Sequence, residues 1–254
     1  MQAENADELK HTQEMKKIIE TARADAEREQ LELFTYIASH DMREPLQKII
    51  GFGDLLAETS AHVLDEKGRG YLQRMQAAAM RIDQLINDLL RFSKLTTEKA
   101  APEAIPLSEI LKGVLPKFEA SIKTSGAVVE VGELPAVYAD IRQMEHVFQE
   151  LISNALKFCK KGEAPHVTIQ GSIVREGLAE ISVSDKGIGF DVNYLEKILR
   201  PFERLHSRSE YEGSGLGLAL CYKIISRFGG TITAKSVPGH GATFIVTLPT
   251  KQVP

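Results

Sequence analysis

Cysteine is scarce: Cys159 and Cys221 are the only two in 254 residues. Two are too few for a disulfide framework and lack metal-ligand spacing, so a reducing cytoplasm is the expected compartment. No apolar run reaches the roughly 18 residues that a membrane span requires, and no signal peptide opens the chain. A sensory or membrane portion, if one belongs here, is expected upstream and outside this sequence. Basic charge is also short. Lys and Arg number 31 against 35 Asp and Glu, a net charge of −4 that offers no field for nucleic acid. Internal repeats and low-complexity tracts are absent. What remains is an ordinary globular balance, 43% hydrophobic and 26% charged, at a length that suits two domains.

The first hundred residues read as helix. Met15, Ile19, Ala22, Ala26, Glu29, Leu33 and Tyr36 recur in steps of four and three, a heptad seam weakened by its alanines and Glu29. For residues 1–30 a coiled coil and a single solvated helix both fit. An apolar stripe continues through Leu46, Ile49, Gly53 and Leu56, and residues 59–62 with Gly68 and Gly70 mark a turn. A second helix carries Leu72, Met75, Ala79, Ile82, Ile86 and Leu89. The two make an antiparallel hairpin over 31–97. Alone they bury little surface, so pairing into a dimeric four-helix bundle is the expected completion. Residues 98–106, with Pro102 and Pro106, read as a linker. From 107 to 250 helices and strands alternate as a two-layer α/β domain, so the fold class is α+β and multidomain. Strands are expected at 127–131, 166–174, 178–184, 231–236 and 242–248. Helices are expected over 108–123, from Asp140, over 193–199 and over 216–228.

Several segments of the second domain point to a phosphate ligand. Asp185-Lys186-Gly187-Ile188-Gly189 follows a strand, where a carboxylate can accept from an exocyclic amine and glycines let backbone approach a planar base. Gly213-Ser214-Gly215-Leu216-Gly217 opens a helix whose free N–H groups favour an anion. It follows no first strand of a βαβ unit, so a dinucleotide fold fails on context. Glu150, Asn154 and Lys157 line one helix face: an amide oxygen for a hard cation, an ammonium for phosphate. By itself that face reads as a solvated polar stripe. The ordered set of segments argues against coincidence.

These residues resemble the motifs of sensor histidine kinases. Gln149–Phe158 looks like their N box, Asp185–Gly189 the G1 box, Pro201-Phe202-Glu203-Arg204 the F box and Gly213–Gly217 the G2 box. Gly239–Phe244 is similar to their last glycine-containing strand segment. Tyr36–Leu46, holding His40, Asp41 and Pro45, resembles the H box in its phytochrome-like variant. The likeness covers about residues 30 to 249. It implies a signalling helix over 1–30, a dimerisation and histidine-phosphotransfer hairpin, and an ATPase domain of the Bergerat type. It implies ATP and Mg²⁺, a homodimer, and a response regulator as partner. Asp185 would take the adenine amine, Asn154 the metal, with Glu150 orienting it and its water. Lys157 and the backbone of Gly213, Gly215, Leu216 and Gly217 would hold phosphates; Gly187, Gly189 and Thr243 would complete the nucleotide site. Glu203–Glu212 would be a mobile lid with no apolar anchor after Leu205, and Phe202 would pack beneath it.

His40 would be the phosphoacceptor, since a neutral imidazole is a competent nucleophile near its pKa of about 6.5. Asp41 can hold the proton on its other nitrogen. Pro45 should kink the helix one turn beyond. Many kinases of this kind carry threonine or asparagine where this chain has Glu44, which predicts weak phosphatase activity; on residues alone Glu44 also reads as an i,i+4 partner of Lys48. Gln47, Gly51, Asp54 and Glu58 continue His40's face and are the expected regulator-docking residues.

Overall fold

The computed structural model describes residues 39, 41–60, 62–97, 100–206, 210–211 and 213–252. His40, the seam over 1–30 and residues 31–38 lie outside the described residues. The chain divides into two compact units, Met1–Thr97 and Glu98–Pro254.

The described residues of the first unit form a helical hairpin. Helix α1 covers 41–60 and runs unbroken through Pro45. It ends in a tight turn, with the Val63 and Leu64 N–H groups both donating to the Ser60 carbonyl. Helix α2 is Glu66–Thr97. Asp65 caps it, its Oδ1 accepting from Gly68 N at 2.7 Å. Gly68 and Gly70 therefore belong to the opening turns of α2, not to the connection. Leu46, Ala79 and Ile86 form the buried seam, with Ile50 and Leu90 packed against it. At Gly53 the helices come close, since a Cβ there would lie 2.9 Å from Gln76 Cγ. The expected stripe is only half buried away. Ile49 remains 45% and Phe52 66% exposed, and Met42, Leu56, Met75 and Ile82 share that exposure.

The second unit has a five-stranded sheet in the order β2-β4-β5-β7-β6. These are β2 (Val128–Val131), β4 (His166–Arg175), β5 (Leu178–Asp185), β6 (Thr231–Ser236) and β7 (Ala242–Pro249). Only β2 and β4 pair in parallel. Strand β1 (Glu103–Pro106) pairs antiparallel with β3 (Ala136–Ala139) in a second, two-stranded sheet. Residues 103–106 are thus strand where the sequence reads as linker. Ahead of them, the Ala101 N–H donates to Asp140 Oδ2 at 3.0 Å.

Helices α5 (Ile141–Lys157) and α7 (Gly217–Arg227) cover one face of the sheet, and α3 (Leu107–Val114) packs against α5 and β1; α4 (Glu119–Ser125) and α6 (Leu195–Ile198) are short. The expected helix over 108–123 is split, because Pro116 lacks an N–H and the chain takes a 3₁₀ turn over Leu115–Phe118. Asp140 caps α5, accepting from Gln143 N at 3.1 Å. Behind it Met144, Val147, Phe148, Leu151, Ile152 and Ala155 are buried at helical spacing. Along β5 the residues Ala179, Ile181 and Val183 are buried and their neighbours are not, so one sheet face meets the helices and the other meets water.

Candidate functional site

Asp185 ends β5, two residues beyond Val183 and therefore on the helix-covered face. Its Oδ1 accepts from Gly187 N at 2.8 Å and from Ala242 N at 3.2 Å. Burial pushes the carboxyl pKa above its ordinary value, and these two backbone bonds pull against that shift. Both N–H groups use the same oxygen, so Oδ2 is left to meet a ligand. Gly187 is required by close approach: a Cβ there would sit 2.1 Å from the Phe158 carbonyl oxygen. That carbonyl accepts from Ile188 N at 2.9 Å, which fastens the end of α5 to the loop after β5. Gly189 has a φ of 58° and packs against the Val237 and Gly241 carbonyls.

The polar face of α5 reaches the glycine loop in two places. A Cβ at Gly217, the first residue of α7, would lie 2.1 Å from Glu150 Oε2; one at Gly213 would lie 3.3 Å from Lys157 Nζ. Glu150 thus turns its carboxylate towards the opening of α7, where helix N–H groups have no partner within the helix. Lys157 stands at the other end of the same loop. Asn154 lies between them on that face and is half-buried. The structure therefore brings Glu150, Asn154, Lys157, Asp185, Gly187, Gly189, Gly213, Gly215, Leu216 and Gly217 into one region.

Thr243 does not join them. It pairs in register with Ser184, and the two hydroxyls are 2.9 Å apart. Val183 and Phe244, the neighbouring register pair, are buried beneath the helices. Strand alternation then puts Thr243 on the opposite face of the sheet from Asp185. Ala242 occupies the position beside the carboxylate. The alternation of Ala242, Phe244, Val246 and Leu248 carried that signal in the sequence.

Two further expectations change. Phe202 is 57% exposed with a φ of 66°, so it does not pack beneath its neighbours. Its N–H donates to the Gly215 carbonyl at 3.0 Å. And the segment after Leu205 does have an aromatic anchor. Tyr211 packs on Phe158 with ring centroids 5.0 Å apart, and His206 contacts both rings. Residues 207–209 and 212 of the expected lid lie outside the described residues.

On the hairpin, Asp41, Gln47, Gly51, Asp54 and Glu58 are all exposed on α1. Gln47 donates to Asp83 at 3.4 Å and Asp54 accepts from Gln76 at 2.7 Å, so both also bridge to α2. Glu44 pairs with Lys48 at 2.6 Å.

A divalent cation is implied by the nucleotide reading, and the donors present fit Mg²⁺. Among the described residues no cluster of three His, Cys, Asp or Glu side chains forms a cage. One amide oxygen at Asn154 and one carboxylate at Glu150, a helical turn apart, match an ion that keeps its waters and takes most ligands from phosphate. No helix among the described residues is long and apolar enough to cross a membrane.

Comparison with known proteins speaks to the family and the fold. The model of the histidine kinase-, DNA gyrase B- and HSP90-like ATPases matches residues 139–252. That of the His Kinase A (phospho-acceptor) domain matches residues 30–98. The chain is 38% identical over 219 residues to the phytochrome-like protein Cph1 of Synechocystis sp., across 86% of this chain and 29% of that protein. To the histidine protein kinase DivJ of Caulobacter vibrioides it is 31% identical over 245 residues, across 93% of this chain and 40% of that one. The chain thus spans well under half the length of these relatives. The structure of full-length ShkA in complex with AMPPNP aligns with a TM-score of 0.63 at 24% identity, over 87% of this chain and 46% of that one. At that identity the likeness concerns the fold. A phosphoacceptor hairpin followed by an ATPase domain, each matched by its own family, places this chain among the sensor histidine kinases, to which it belongs as a transmitter core.

Proposed function

We propose that this core binds ATP, phosphorylates His40, and passes the phosphoryl group to an aspartate of a response regulator. The observation that carries the reading is convergence. A carboxylate fixed at a strand end, a lysine at the glycine loop, and the N-terminus of an 11-residue helix meet in one region. Asp185 Oδ2 is an acceptor for an exocyclic amine, which adenine offers and guanine's O6 does not. Lys157 and the N–H groups opening α7 supply positive charge for phosphates. Mg²⁺, held through Asn154 with Glu150 orienting its water, would neutralise charge on the transferring group. The imidazole nitrogen of His40 attacks the γ-phosphorus, the bond to the bridging oxygen breaks, and ADP leaves with the electron pair. Asp41 accepts the proton on the second imidazole nitrogen.

The apolar residues left exposed on α1 and α2 support a homodimer in which a second hairpin covers them. Gln47, Gly51, Asp54 and Glu58, exposed on one stretch of α1, support docking of a receiver domain there. The Glu44–Lys48 pair keeps the Glu44 side chain engaged, which supports weak phosphatase activity. Incubation with γ-labelled ATP and then with a receiver domain tests the whole reading. Label should enter wild type, pass to the receiver and persist there, while His40→Gln and Asn154→Ala stay unlabelled. Wild type that takes no label would reject the kinase reading. Rapid clearance from the receiver would reject the reading of Glu44.

A further inference from the structure

Ser236 ends β6 opposite Ala242, its register partner at the start of β7. The side chain is half-buried and its hydroxyl bonds in both directions. Its Oγ donates to the Gly241 carbonyl at 2.9 Å and accepts from Phe190 N at 2.8 Å. The first bond matters because the Gly241 carbonyl and the Ala242 N–H belong to one peptide group. That group is planar and turns as a unit, so whatever holds its oxygen also aims its hydrogen. The hydrogen is aimed at Asp185 Oδ1, which lies 3.2 Å from Ala242 N. Gly241 has a φ of 85°, and a Cβ on it would collide with the Asp185 carbonyl. The residue that close approach requires to be glycine is thus also the one that leaves this peptide freest to turn.

We infer that Ser236 is a positioning residue for base recognition: it holds the Gly241–Ala242 peptide, which in turn keeps the Asp185 carboxylate oriented. The inference rests on the ATP-site reading above. Of the two donors on Asp185 Oδ1, Gly187 belongs to the same loop as the carboxylate and moves with it. The Ala242 bond ties the carboxylate to the neighbouring strand, and Ser236 makes that tie firm. The bond from Phe190 N does the same for the far end of the Asp185–Gly189 loop. Gly239 N, donating to the Ile188 carbonyl at 2.6 Å, fastens that loop to the turn between β6 and β7. Without the hydroxyl the peptide can turn, and Asp185 Oδ2 no longer has one direction. Lys157 and the opening of α7 stand on other elements. Loss of the hydroxyl should therefore be felt by the base and not by the phosphates. Hypoxanthine reads the difference, because it carries O6 where adenine carries an amino group, and an oriented carboxylate then faces a second acceptor.

The test is competitive binding of ATP and ITP to the whole chain, with Mg²⁺, in wild type, Ser236→Ala and Ser236→Thr. Wild type should prefer ATP. Ser236→Ala should weaken ATP about fivefold, the scale of one neutral hydrogen bond, and leave ITP within about twofold. Ser236→Thr, which keeps a hydroxyl at the same place, should bind ATP within about twofold of wild type. An equal loss for ATP and ITP in Ser236→Ala would mean that the variant only loosens the fold. No loss for ATP would mean that the hydroxyl positions nothing, and a threonine variant as weak as the alanine one would take the effect away from the hydroxyl. Any of these three results overturns the inference. Wild type that binds neither ligand, or both alike, would instead overturn the ATP-site reading on which it stands.

Discussion

Asp185 carries a conflict that single residues at binding sites often show. Its carboxylate is partly buried, and desolvation raises its pKa above the ordinary 3.8 despite two backbone N–H donors. Between those two values the folded chain binds a proton that the unfolded chain does not. Stability therefore rises as pH falls through the folded value and gains nothing further below the unfolded one; at neutral pH the buried charge weighs against folding. Asp185→Asn removes that charge, and its Oδ1 still accepts from Gly187 and Ala242. The variant should melt at a higher temperature than wild type at pH 7, with the difference vanishing near pH 4, and it should lose ATP binding because an NH₂ group replaces Oδ2. Calorimetry across that pH range checks the first half, and nucleotide titration the second.

At the scale of elements, α5 is positioned from its first turn. Asp140 uses both carboxylate oxygens, one on Gln143 N as helix cap and the other on Ala101 N ahead of β1. Asp140→Ala loses both and should cost about 1–2 kcal/mol in denaturant unfolding. Asp140→Asn can keep the cap but presents N–H to N–H at Ala101, so it should fall between wild type and the alanine variant. Equal losses in the two variants would assign the whole effect to the Ala101 contact. These elements also separate what the sequence made legible from what it hid. The Asp185–Gly189 and Gly213–Gly217 segments were readable because close backbone approach demands glycine locally, whatever the rest of the chain does. Strand β1 was not, because Pro102, Pro106 and the alanines around them read as linker and its partner, β3, lies thirty-odd positions on. Tyr211 was hidden by its charged neighbours, since its anchoring role depends on Phe158, which only folding brings near.

For the molecule as a whole, the hairpin is unfinished by its own residues. Its core is the small set around Leu46, Ala79 and Ile86, while Ile49 and Phe52 stay exposed beside it. Phe52→Glu should shift the chain from dimer to monomer in light scattering, and leave the Glu98–Pro254 unit folded by circular dichroism; an unchanged dimer mass would move the interface elsewhere. The second unit differs in kind. Ser184 with Thr243 and Thr231 with Thr247 join hydroxyl to hydroxyl across neighbouring strands on the uncovered side of the sheet. A surface wetted and internally matched in this way has little to gain from another layer of protein. It can remain bare in water while the opposite side holds the ligand, which leaves the domain a thin, one-sided tile.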